Sequence, residues 1–205
     1  MILFWTERLL MLGTLFIFAA IILRLAAGAD YLTATIKGQV KPNPVTWLFW
    51  GLAPMIAFAA QAQNGLEPSN WVTFILGLGP LLIFAISISK NKKQRWKLGF
   101  SDILCGASAA LGLILWQITS DPMLALTFGI VADVLGGLPT LYKSYHFPET
   151  EKALPYFLSL TSMVITMFSL TRWDYINAGF PVYIFCINLV LFMLIWTRVG
   201  VRIKV

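Results

Sequence analysis

Residues 121–144 read DPMLALTFGIVADVLGGLPTLYKS. Asp121 followed by Pro122 is a helix start: the carboxylate can accept from free amides of the first turn, and a proline at the first helical position forfeits no hydrogen bond. The run 122–142 that follows is apolar almost throughout and is closed by Lys143. A hydrocarbon core about 30 Å thick needs roughly 20 such residues, so this segment reads as a membrane crossing. Asp133 is its exception. Twelve positions after Asp121, at 1.5 Å per residue, it lies about 18 Å into the helix and hence near the midplane. A carboxylate there costs roughly 2.5 to 3.5 kcal/mol to insert, which is why such groups normally face a cavity or a partner.

Working outward, six more runs share this character, over 9–32, 45–63, 71–89, 102–119, 153–171 and 178–199. Asn70 and Asn177 precede the third and seventh as Asp121 precedes the fifth. The 205 residues are 59% hydrophobic and only 12% charged, against roughly 25% charged in soluble domains. A soluble globule, a nucleic-acid reader and a disordered tail are thereby set aside. The expectation is an all-α polytopic membrane protein, one membrane domain over 1–205 with no sizeable extramembrane part, in contact with membrane lipids.

Its net charge of +6 reports topology. With alternate loops on alternate sides, one side carries Arg8 and Arg172, while the other carries Lys37, Lys41, Lys90, Lys92, Lys93, Arg95, Lys97, Lys143, Lys152, Arg198, Arg202 and Lys204. Cations stay cytoplasmic, so a cell-membrane protein with its N-terminus outside and its C-terminus inside is expected. Cleavage after Ala27-Gly28-Ala29 as a signal peptide would reverse that bias, and Glu7 and Arg24 also argue against it. The cationic stretch 90–97 fixes topology and could also attract anionic headgroups.

Shifting the chain by 109 positions superposes Ile21 on Ile130, Gly28 on Gly137, Leu32 on Leu141, Thr46 on Pro155 and Trp47 on Tyr156. A shift of 103 instead stacks Ala29-Asp30 on Ala132-Asp133, but only 109 keeps both leading helix pairs in phase. The runs then divide into a first three-helix repeat over 9–89, a linker helix over 102–119 and a second repeat over 122–199. A single intervening helix makes the repeats parallel.

Leu138-Pro139-Thr140-Leu141-Tyr142-Lys143-Ser144, followed after a short loop by Leu154-Pro155-Tyr156, resembles the proline-threonine helix end and proline-tyrosine helix start of the SWEET sugar transporters and the wider PQ-loop superfamily. Lys41-Pro42-Asn43-Pro44-Val45-Thr46-Trp47 is a weaker copy in the first half. The Pro-Gln dipeptide itself is absent, and Asp30 stands where a helix-one proline would be expected. The resemblance implies seven helices in a three-one-three arrangement with the N-terminus outside. It further implies solute contact by an asparagine on the seventh helix, which here is Asn188; the partner position on the third helix is Gly79. Tryptophans also serve the related nicotinamide riboside transporters, so Trp47 and Trp50, three residues apart at the start of the second run, are pocket candidates.

Asp133 and its repeat-mate Arg24 place an acid and a base at equivalent depths, where they could pair or line a pathway. The alternatives are a static ion pair, or an Arg24 that snorkels to the interface. Asn188 could equally make a helix-to-helix hydrogen bond, worth roughly 0.6 kcal/mol in membranes. Pro139 and Pro155 are candidate hinges. Trp71, Trp116, Trp173 and Trp196 near helix ends read as interfacial anchors, and the four-residue spacings of Ala53 with Ala57, Gly106 with Ala110 and Ala132 with Gly136 as helix-packing faces. Cys105 and Cys186 read as small buried hydrophobes, Glu149 and Glu151 as a solvated loop, and the single histidine, His146, does not make a metal site.

No nucleophile with a base, paired carboxylates or metal cluster is visible, so an enzyme is not expected, and no cofactor is implied. The composite expectation is a carrier of a small polar solute, whether sugar-like, vitamin or amino acid, working by alternating access and either passive or proton-coupled. A ligand-binding or sorting receptor on the same fold, without net transport, is the alternative. Either form leaves room for a homo-oligomer.

Overall fold

The computed structural model describes residues 2–63, 65–90 and 100–202; the side chains of 2–12, 90, 201, 202 and part of 101–117 are outside that description. Every long element is a helix: α1 (Ile2–Ile36), α2 (Pro44–Gln63), α3 (Asn70–Lys90), α4 (Phe100–Thr119), α5 (Pro122–His146), α6 (Ala153–Phe168) and α7 (Tyr175–Thr197). A 3₁₀ turn over Pro148–Thr150 and a short turn over Val199–Arg202 complete the list, and no strand occurs among the described residues. Five segments are long and apolar enough to cross a membrane: Gly13–Ile36, Pro44–Gln63, Asn70–Ser89, Pro122–His146 and Tyr175–Thr197. The chain is a membrane-embedded helical protein. α6 is apolar but has only 16 residues, about 24 Å at 1.5 Å per residue.

Local chemistry sets the ends. Asp121 caps α5 as its position foretells, accepting from Met123 N at 2.8 Å with Pro122 in the first turn. The start of α7 departs from expectation. Asp174, not Asn177, is its cap, accepting from the Asn177 backbone amide at 2.9 Å, and the helix begins at Tyr175. A carboxylate three residues upstream outcompetes the carboxamide, which becomes a donor to it instead.

Packing follows the small residues. α2 lies against α3 and α5, α1 against α6 and α3, α6 against α7, α5 against α7, and α4 against α5. Where α2 crosses α3, a methyl group on Gly77 would stand 2.8 Å from the Gly51 carbonyl oxygen, so the backbones touch only because both residues lack a side chain. Ala53, Ala57 and Ala132 are buried at such contacts. One apolar layer joins Ala20, Ala57, Val72, Leu126, Met163 and Phe180 from six helices. A second, nearer the lysine-bearing end, joins Tyr31, Trp47, Ile83, Tyr156, Leu191 and Ile195.

Two expectations fail at the level of side chains. Cys186 faces outward on α7 instead of filling the core, while Cys105 has no described side chain. Glu151 is buried, for reasons that belong to the site below. Trp71, Trp173 and Trp196 are exposed near helix ends as anchors require. The side chain of Trp116, the Gly106 and Ala110 pairing and most of the 90–97 segment lie outside the described residues.

Candidate functional site

Between the two apolar layers lies a cavity of about 240 Å³. All five residues nominated from the sequence line it: Arg24 from α1, Trp47 and Trp50 from α2, Asp133 from α5 and Asn188 from α7. Gly79 and Pro80 of α3 and Pro155 and Tyr156 of α6 also contribute, so six helices surround the space.

Asp133 is 1% exposed. Its Oδ2 accepts from the Tyr183 hydroxyl at 2.6 Å, whereas Oδ1 is buried without a partner. Within a water-poor interior an unanswered carboxylate oxygen is costly, so this atom is the strongest unmet polar demand among the residues that line the cavity. Arg24 does not close an ion pair with it: the guanidinium donates to Ser159 Oγ on α6. Nor does Arg24 run to the interface, since it lines the same cavity as the aspartate.

Trp47 is buried and tilted over Tyr31, with ring centroids 4.4 Å apart, and meets Trp50 edge-on at 5.4 Å. The Trp50 ring lies against Gly137, where an added methyl would stand 3.2 Å from the indole nitrogen; that Nε1 is buried with no acceptor. Asn188 sends its amide nitrogen back to the Ile184 carbonyl at 2.8 Å, one turn earlier on its own helix. Its carbonyl oxygen is therefore the group with capacity to spare. Pro139 sits within α5, beside Thr140, which donates to Thr46 of α2 at 3.2 Å. Pro155 falls in the first turn of α6, where no hydrogen bond is lost.

Below the cavity, at the lysine-bearing end, sits a polar seal. Glu151 has a side chain with no exposure, paired with Lys143 Nζ at 2.5 Å. The Tyr31 hydroxyl, on α1, donates to its two oxygens at 2.9 and 3.1 Å, and the Tyr156 hydroxyl donates at 3.2 Å. Lys143 also donates to the Lys41 carbonyl at 2.6 Å, and Lys152 meets Asp30 at 3.3 Å. Tyr31 and Tyr156 thus line the cavity on one side and hold Glu151 on the other. At the opposite end Arg172 Nε donates to Glu67 at 2.6 Å, which holds the guanidinium above its ordinary range, and Gln61 reaches the Ile176 carbonyl at 3.4 Å.

Glu151, Tyr31, Tyr156 and Tyr183 are not read as site residues from the sequence, where Glu151 reads as part of a solvated loop. A signal did exist for Tyr156, which the 109 shift sets opposite Trp47. Comparison with protein-family models, curated proteins and solved structures finds no match for this chain.

Proposed function

We propose that this chain carries a small polar solute across the membrane by alternating access, on a SWEET-like plan of two parallel three-helix repeats joined by α4. The packing supports the repeat: replacing α1, α2 and α3 by α5, α6 and α7 turns the α1–α6 contact into α5–α2, α1–α3 into α5–α7 and α2–α3 into α6–α7, all of which occur. The cation bias supports an orientation with the lysine-bearing end in the cytoplasm and the N-terminus outside.

The observation that carries the reading is the cavity between the halves, lined by the buried Asp133, one of whose carboxylate oxygens has no hydrogen-bond partner. A buried ionisable group inside a membrane bundle marks a solute or proton path by default. Opening toward the cytoplasm requires Tyr31 to leave Glu151, Lys41 to leave Lys143, Asp30 to leave Lys152 and Thr46 to leave Thr140, all contacts between the halves. Opening outward separates Glu67 from Arg172 and Gln61 from Ile176. Pro139, inside α5, supplies a flexible point in the second half at the first of these seams, and Pro155 marks the start of α6 beside it.

Purified protein in liposomes should take up one of a panel of sugars, vitamins and amino acids. A proton gradient should accelerate uptake, and Asp133→Asn should abolish that dependence. Uptake indifferent to both would make the carrier passive; saturable binding without flux would favour the receptor form.

A further inference from the structure

The lining chemistry narrows the solute class. Arg24 and Asp133 project into one cavity from α1 and α5, helices that make no extensive contact with each other, and they are not paired across it. One positive and one negative group that line the same cavity without a salt bridge between them present complementary ends to a solute that carries both charges. The carboxylate has an unanswered oxygen, and the guanidinium has five N–H donors, of which Ser159 engages only part. The rest of the wall is mainly apolar, including Leu76, Ile83, Ile184 and Leu191.

We propose that the cavity binds a zwitterionic α-amino acid with an apolar side chain, its ammonium on the Asp133 carboxylate, its carboxylate on Arg24 and its side chain against the aliphatic and Trp50 walls. This rests on the carrier reading and concerns the same site. Size agrees: about 240 Å³ is below the roughly 300 to 1,000 Å³ of pockets for drug-sized ligands. A sugar of similar bulk brings a hydroxyl on nearly every carbon, and each one left against aliphatic wall forfeits about tenfold in affinity or more. A purely cationic solute would leave the guanidinium uncompensated, and a purely anionic one the carboxylate.

The test is a binding and uptake panel on the purified full-length protein, with leucine and phenylalanine as zwitterions, isoamylamine lacking the carboxylate, 4-methylpentanoate lacking the ammonium, and glucose as the polyol. Leucine or phenylalanine should raise the thermal midpoint and enter liposomes, with both truncated analogues at least tenfold weaker. In Arg24→Gln the advantage of leucine over isoamylamine should shrink at least fivefold, and in Asp133→Asn its advantage over 4-methylpentanoate should do the same. If either variant does not fold, the ranking on the native protein alone decides. Uptake of glucose with no response to the amino acids would overturn the solute class and leave the carrier standing. Amino-acid binding without flux would uphold the class and overturn the carrier, and no response to any amino acid would overturn the class.

Discussion

Glu151 shows how a polar residue acquires a role that its neighbourhood in the chain conceals. It lies in a short segment with His146, Glu149 and Lys152, a pattern that reads as solvated loop. Its burial comes from Tyr31, 120 positions away, and from Lys143 on the preceding helix. Asp133, by contrast, was legible because one carboxylate in an apolar run has few explanations and the helical rise fixes its depth. Removing one member of a buried pair leaves the other charge uncompensated, at about 3 to 5 kcal/mol. Lys143 retains 19% exposure and can partly rehydrate, so Glu151→Gln should cost about 3 kcal/mol, read as a lowered thermal midpoint in detergent. The double variant Glu151→Gln, Lys143→Met should recover a good part of that loss; strict additivity would mean the two side chains are not coupled. Glu67 and Arg172 supply a contrasting case. A raised arginine value means that the contribution of this contact is complete below the ordinary arginine range and declines only above it. Glu67→Gln should therefore leave the pH profile of uptake between pH 5 and 8 unchanged, and a shifted profile would assign the titration to the wrong end of the molecule.

Helices were legible from the sequence where a capping group, a proline and an uninterrupted apolar run agree, as in α5. The reading slipped where two polar groups compete for one role, as at Asp174 and Asn177, and where a run is interrupted by serines and threonines. α6 ends at Phe168, before the run expected to reach 171, where Ser169 takes the C-cap position, its backbone amide donating to the Ile165 carbonyl and its hydroxyl to the Thr166 carbonyl. Close helix crossings were only partly visible: spacing nominated Ala53 with Ala57 and Ala132 with Gly136, yet α2 and α3 also approach closely at Gly51 and Gly77. Gly77→Ala puts a carbon 2.8 Å from a backbone oxygen that cannot move without moving α2, and should destabilise by about 1 to 3 kcal/mol. Gly13→Ala meets nothing within 4 Å in α1 and should be neutral or stabilise by up to about 1 kcal/mol. Equal effects of the two substitutions on the thermal midpoint would refute the close crossing.

Across the bundle, the polar groups sort into three layers: a contact pair at the Glu67 end, a cavity with one acid and one base, and a seal built on Glu151. The 109-position shift sets Arg24 opposite Asp133 and Trp47 opposite Tyr156, and all four residues line one cavity. What a single sequence could not convey is closure, since the contacts between the halves at the two ends of the cavity join residues more than 90 positions apart. A carrier must open such a cavity to each side in turn, whereas a receptor or a static bundle need not. Sided labelling of Asn188→Cys, with Cys105 and Cys186 replaced by alanine, reads this directly by a membrane-impermeant thiol reagent applied to one face of oriented vesicles at a time. Alternating access predicts modification from either face, with Glu151→Gln speeding the reaction from the lysine-bearing face alone. Modification from one face only, or from neither, would contradict it.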